Sequence, residues 1–227
     1  MGAVNSDRAI ERTIAANTHG RYLVVPAATA PAGLLVGFHG YAEGAEMQLE
    51  RLRAIPGSDR WRLVAIQGLH RFYQRRTNEV IASWMTRQDR ELAIADNLAY
   101  VEGVLDAASR EWPGSPHLVF AGFSQGVAMA FRTACATARQ SDGVIAVGGD
   151  VPPEIDAAAL GRVRSAVMCH GIRDEWYTEV QFQRDVARIR QAGATARPVS
   201  FDGGHEWSAA VLEAASTFLR DCAEQRP

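Results

Sequence analysis

The stretch His117-Leu118-Val119-Phe120-Ala121-Gly122-Phe123-Ser124-Gln125-Gly126 decides how this chain is read. His117–Ala121 is apolar and β-prone, so it reads as a strand. Residues from Ser124 to Ala138 are rich in Ala and Met and read as a buried helix. Between them lies G-x-S-x-G, a pattern that puts a serine on a sharp strand-to-helix turn with its hydroxyl exposed. Gly122 and Gly126 lack a β-carbon where strand and helix crowd together. The helix N-terminus adds a positive dipole end near any negative charge that develops at the serine.

Outward from this turn, strand and helix patterns alternate. Strands are expected at Arg21–Val25, Leu34–Phe38, Arg62–Ile66, Gly143–Val147, Ser165–Cys169 and Ala196–Phe201. Pro198 marks the last as an edge strand or a bulge. Helices are expected over 44–54, 89–110 with Asp89 as cap, Thr178–Gln191 stopping at Gly193, and Trp207–Cys222. Residues 67–88, rich in Arg and aromatics, read as a long irregular surface loop. The alternation predicts an α/β fold, a mostly parallel central sheet with helices on both faces. Residues 1–227 read as one domain, with 1–19 a loosely ordered N-terminal segment. In such a sheet, chemistry belongs just beyond the carboxyl ends of the strands.

A serine hydroxyl needs a base. His19 and His117 lie at the wrong strand end, and His70 lies in the irregular segment. His170 follows a strand, but only His205, in Gly203-Gly204-His205-Glu206-Trp207, leaves room for an acid before it in the order serine, acid, histidine. The acid that orients the imidazole is expected at Asp174, just past the Ser165–Cys169 strand; Glu175 and Asp150 are alternatives. Two backbone N–H groups should face the developing oxyanion, those of Gln125 and of Tyr41 after the early His39-Gly40. His39, Gly40, Trp84, Trp176 and Trp207 are candidates for the substrate pocket. Gln67 and Trp84 flank the irregular segment, whose Arg71, Arg75, Arg76 and Arg87 could meet an anion or simply be solvated.

Composition narrows the partners. Net charge is −2 with signs interspersed, so no basic face suits nucleic acid. All 24 basic residues are arginine, most simply a codon preference. The odd, sparse set Cys135, Cys169 and Cys222 reads as free buried thiols rather than a disulfide framework. No membrane span or signal pattern is found, and a cytoplasmic location is the default expectation. Met1-Gly2-Ala3-Val4-Asn5-Ser6 fits the loose myristoylation pattern, but no polybasic patch follows it, so no lipid anchor is expected. No metal-ligand spacing and no cofactor fingerprint occurs, so neither is expected. A homodimer stays an option.

Gly37-Phe38-His39-Gly40, Gly122-Phe123-Ser124-Gln125-Gly126, His170-Gly171 with Asp174, and Gly204-His205 together resemble the phospholipase/carboxylesterase family of small α/β-hydrolases. That family includes acyl-protein thioesterases and bacterial carboxylesterases, and the resemblance spans roughly residues 20–220. It implies the α/β-hydrolase fold, a Ser124–Asp174–His205 triad, and oxyanion donors at Tyr41 and Gln125. It also implies cofactor-free hydrolysis of a carboxylic ester, a thioester or a lysophospholipid. The chain departs from the family at Tyr41, where Leu is common, at Val127, where another Gly often stands, and at Glu175-Trp176-Tyr177 after the acid. The Trp176-Tyr177 pair is expected to tighten the acyl site toward short chains. A protein of this fold that binds a ligand without turnover is the alternative from another class.

Overall fold

The computed structural model describes residues 9–28, 31–114 and 117–224; the Met1–Ser6 pattern lies outside them. Seven strands form one sheet: β1 (Arg21–Val25), β2 (Gly33–Phe38), β3 (Arg62–Gln67), β6 (His117–Phe123), β7 (Gly143–Val147), β8 (Ser165–Gly171) and β9 (Thr195–Phe201). Their order across the sheet is β1-β3-β2-β6-β7-β8-β9. Only β1 runs antiparallel to its neighbour. The helices are α1 (Ala45–Ala54), α2 (Arg90–Glu111), α3 (Gln125–Ala136), the short α4 (Ala157–Leu160), α5 (Glu179–Gln191) and α6 (Ala209–Glu224). This is the mostly parallel α/β architecture expected from the alternation, in the α/β-hydrolase arrangement that the family resemblance implies.

The central strands are buried along their whole length because both faces are covered. Period-2 alternation sorts their side chains into two cores. Val36, Phe38, Phe120 and Met168 join α2, α3, α4 and α5 on one face. Leu35, Val119, Ile145 and Cys169 join α1 and α6 on the other. Cys169 and Cys222 are buried free thiols, whereas Cys135 is half-buried. Pro198 sits on β9, an edge strand as expected, opposite Met168. Among the described residues no helix is long and apolar enough to cross a membrane.

Three local expectations are corrected. The segment 67–88 is not irregular throughout. It contains an antiparallel hairpin of β4 (His70–Tyr73) and β5 (Val80–Ser83), joined to the body by a bridge between Glu43 and Ala82. Asp89 precedes α2 in the left-handed region (φ 48°) and its side chain makes no cap hydrogen bond. Asp tolerates that conformation better than most residues; it holds the expected N-cap position through its carbonyl, which accepts the Ala93 N–H at 2.9 Å, and not through its side chain. Thr178 stands outside α5 as its N-cap, in a capping box with Gln181.

Candidate active site

Ser124 has φ 52° and ψ −121°, outside the regions an L-residue ordinarily adopts. The surrounding packing holds this strained turn in place. A β-carbon on Gly126 would lie 2.1 Å from the Phe38 carbonyl oxygen, and one on Gly122 would lie 2.5 Å from that of Gly126. No larger residue fits either position, so β2, β6 and α3 converge at this point. Ser124 N–H donates to the Val147 carbonyl at 2.9 Å, which ties the elbow to β7. The Gln125 side chain adds a further tether. Its Oε1 accepts from Trp84 N–H (2.9 Å) and Ser83 Oγ (3.2 Å), and its Nε2 donates to the Met85 carbonyl (3.0 Å).

His205 lies in the loop between β9 and α6. Its Nδ1 donates to Asp174 Oδ2 at 2.8 Å. The Asp174 side chain is fully buried, and its Oδ1 accepts the N–H groups of Trp176 (2.9 Å) and Tyr177 (3.0 Å). A buried polar group is costly unless it is hydrogen-bonded. Both its oxygens are used, which fixes the carboxylate and, through it, the imidazole. The Phe123 ring packs 5.0 Å from that of His205. With Nδ1 held, Nε2 is the nitrogen left to face the cleft that His205 shares with Ser124. Of the three carboxylates considered, Asp174 is the one paired with His205; Glu175 is exposed.

The loop after β2 is clamped peptide by peptide. The His39 carbonyl accepts Trp84 Nε1–H at 2.8 Å, and Gly40 N–H donates to Glu43 Oε2 at 2.8 Å. Those two groups are opposite ends of one planar trans peptide. The His39 ring takes Gly68 N–H on Nε2 (2.9 Å) and donates from Nδ1 to the Gly40 carbonyl (2.7 Å). That carbonyl belongs to the peptide carrying the Tyr41 N–H, so the Tyr41 N–H is aimed the opposite way. Neither it nor the Gln125 N–H is used in a hydrogen bond among the described residues. Gln125 opens α3, where first-turn N–H groups have no intrahelical acceptor. Burial lowers the His39 pKa, in keeping with a neutral ring that accepts on one nitrogen and donates from the other.

Ser124 and His205 open onto a cleft of about 630 Å³. Its walls include Phe123, Trp207, Leu212 and Ala54, with Gly40 and Tyr41 at one side. Glu43, Glu50, Arg51 and Glu206 supply its charge. Of the pocket candidates, Gly40 and Trp207 line it. His39 and Trp84 do not: both are fully buried behind the loop they brace. Trp176 is 81% exposed and does not line the cleft, its ring 6.5 Å from that of His205. Tyr177 is buried in the core against His170 and Phe182, with its hydroxyl on Asp185. The expected Trp176-Tyr177 wall is therefore corrected, and Phe123 and Trp207 provide the aromatic lining. Arg71, Arg75, Arg76 and Arg87 are exposed and do not line the cleft; Gln67 is buried and accepts from Arg21.

The Glu43–Arg51 pair, Glu50 and Glu206 were not read from sequence. Glu206 adjoins His205 and could have been found there, but Glu43 and Arg51 meet only because α1 turns back over the loop. Among the described residues no group of three or more His, Cys, Asp or Glu gathers to hold a metal.

Comparison with known proteins places the chain in a family and a fold. A family profile described as Phospholipase/Carboxylesterase matches residues 20–223. The structure is similar to Zea mays acyl-protein thioesterase 2, with TM-score 0.73 at 17% identity, covering 90% of this chain and 100% of that one. It is similar to a Mesorhizobium loti carboxylesterase, with TM-score 0.73 at 18% identity over 88% and 94% of the two chains. A Bacillus cereus carboxylesterase gives TM-score 0.70 at 16% identity over 91% and 96%. No curated protein matches by sequence.

Proposed function

The chain belongs to the phospholipase/carboxylesterase family, and from that premise we propose that it hydrolyses carboxylic esters of short to medium acyl chains through an acyl-enzyme on Ser124. One observation carries the reading. A strained, half-buried serine and a histidine pinned by a buried carboxylate at 2.8 Å line one cleft.

In the proposed reaction, His205 Nε2 removes the Ser124 proton as Oγ attacks the acyl carbonyl. Asp174 keeps the proton of the ring on Nδ1 and stabilises the imidazolium that forms. The tetrahedral oxyanion is received by the N–H groups of Tyr41 and Gln125, aided by the N-terminal dipole of α3. The imidazolium then gives its proton to the leaving alcohol. Water attacks the acyl-enzyme with His205 again as base, and the acid departs. Phe123 and Trp207 flank the cleft beside Ser124 and supply the apolar surface against which a short acyl group would pack.

Turnover of acetyl, butyryl and octanoyl p-nitrophenyl esters tests the proposal. Butyrate should be cleaved faster than octanoate, and Ser124→Ala should lower kcat by about a millionfold, as in other triads. A rate that climbs steadily to octanoate would overturn the acyl-length reading. Wild-type turnover by Ser124→Ala would overturn the mechanism.

A further inference from the structure

The cleft that Ser124 lines also holds a paired carboxylate and guanidinium. Glu43 and Arg51 form a bidentate ion pair, with Nη1–Oε2 2.6 Å and Nη2–Oε1 2.7 Å. Their side chains are only about one-sixth exposed, at 16% and 15%. Such a fork is geometrically specific and is screened less than a surface pair. The Glu43 backbone is itself fixed, because Ala82 N–H donates to its carbonyl at 2.7 Å.

The pair touches each of the three segments that meet at the cleft. Glu43 Oε2 also accepts the Gly40 N–H, at one end of the peptide whose other end Trp84 holds. The Arg51 guanidinium lies 4.0 Å over the ring of Phe123, the residue before Ser124. The same guanidinium lies 6.0 Å from the ring of Trp207, two residues after His205. Cation–π contacts of this kind are worth a fraction of a hydrogen bond to a few times one, depending on burial.

We propose that the Glu43–Arg51 pair is a positioning device for the reaction at Ser124: Glu43 aims the loop that bears the Tyr41 N–H, and Arg51 holds Glu43 while bracing the elbow and the histidine loop. The inference rests on the reading of Ser124 as nucleophile. Neither side chain touches the reacting atoms. Their effect passes through Gly40, Phe123 and Trp207, so it belongs to the transition state more than to ground-state binding.

The test compares Glu43→Gln, Arg51→Met, Arg51→Lys and the Glu43→Gln/Arg51→Met double variant with wild type. Two readings are taken: kcat and KM on p-nitrophenyl butyrate, per active site titrated with a fluorophosphonate, and amide hydrogen exchange of segment 38–41. The inference predicts a kcat loss of about 10- to 100-fold in either single variant, below the loss from removing an oxyanion donor outright. KM should stay within about threefold. The double variant should be no worse than the poorer single one, since the two act as a unit. Exchange at 38–41 should quicken while the central strands stay protected. Arg51→Lys keeps the charge without the fork, so it should show the same pattern more weakly if Arg51→Met fails to fold. Unchanged kcat per titrated site would overturn the inference, as would a KM-only effect or unchanged exchange at 38–41. If wild type takes no fluorophosphonate, the reading of Ser124 fails, and the exchange result still decides whether the pair sets the loop.

Discussion

His39 shows how a single residue can be recognised from sequence and yet misassigned. It belongs to a motif beside the site, but its ring is fully buried and ties Gly68 to Gly40. Burial lowers its pKa from the ordinary 6.5. The unfolded chain therefore takes up a proton at higher pH than the folded one. The resulting stability is complete above about pH 6.5 and is lost as pH falls toward the folded pKa. The slope of Tm against pH between 6.5 and 5 should be smaller in His39→Gln, whose amide can both donate and accept; equal slopes would refute this role. Asp174→Asn should leave the protein folded but lower kcat by about ten-thousandfold, by analogy with other triads. A loss below tenfold would show that the carboxylate does not set the tautomer. The pairing of His205 with Asp174, beside a cleft that Ser124 also lines, was legible because chain order and strand ends restrict the choices. His39 and Trp84 were misassigned to the pocket because neighbours in sequence do not reveal which side of a loop a ring packs on. Glu43 and Arg51 were not legible, since their contact depends on the angle at which α1 leaves the loop.

Among the elements, the β4–β5 hairpin was the largest miss. Every residue of β4 is exposed, so it lacks the half-buried alternation by which strands are recognised. The central strands, by contrast, are buried apolar runs and were placed within a few residues of their ends. The Gln125 side chain is one tie between the end of β5 and the sheet, through its bonds to Ser83, Trp84 and Met85; Trp84 Nε1–H on the His39 carbonyl is another. Gln125→Ala leaves the Trp84 N–H without its acceptor, while Ser83 Oγ still donates to the Met85 carbonyl at 3.0 Å and the backbone N–H that opens α3 is kept. An orphaned buried N–H costs about 1–3 kcal/mol, so urea denaturation should show a loss of about 1–3 kcal/mol. A loss below 0.5 kcal/mol would mean the tether contributes nothing to holding segment 83–85.

For the whole molecule, alternation of strand and helix was enough to predict a covered parallel sheet, and the two cores follow from side-chain period. Those cores also account for the thiols. Burial pushes Cys169 and Cys222 up to about 12 and Cys135 up to about 11. At pH 8 the native protein should react slowly with a thiol reagent, and all three cysteines should react at once in denaturant; rapid native labelling of Cys169 would contradict the packing of that face. Ser124 stands where β2, β6 and α3 meet, and its role as nucleophile is decided by treating folded protein with a fluorophosphonate and mapping the adduct by peptide mass. A single adduct, on Ser124, is expected. An adduct on another residue, or none in protein shown to be folded, would contradict it.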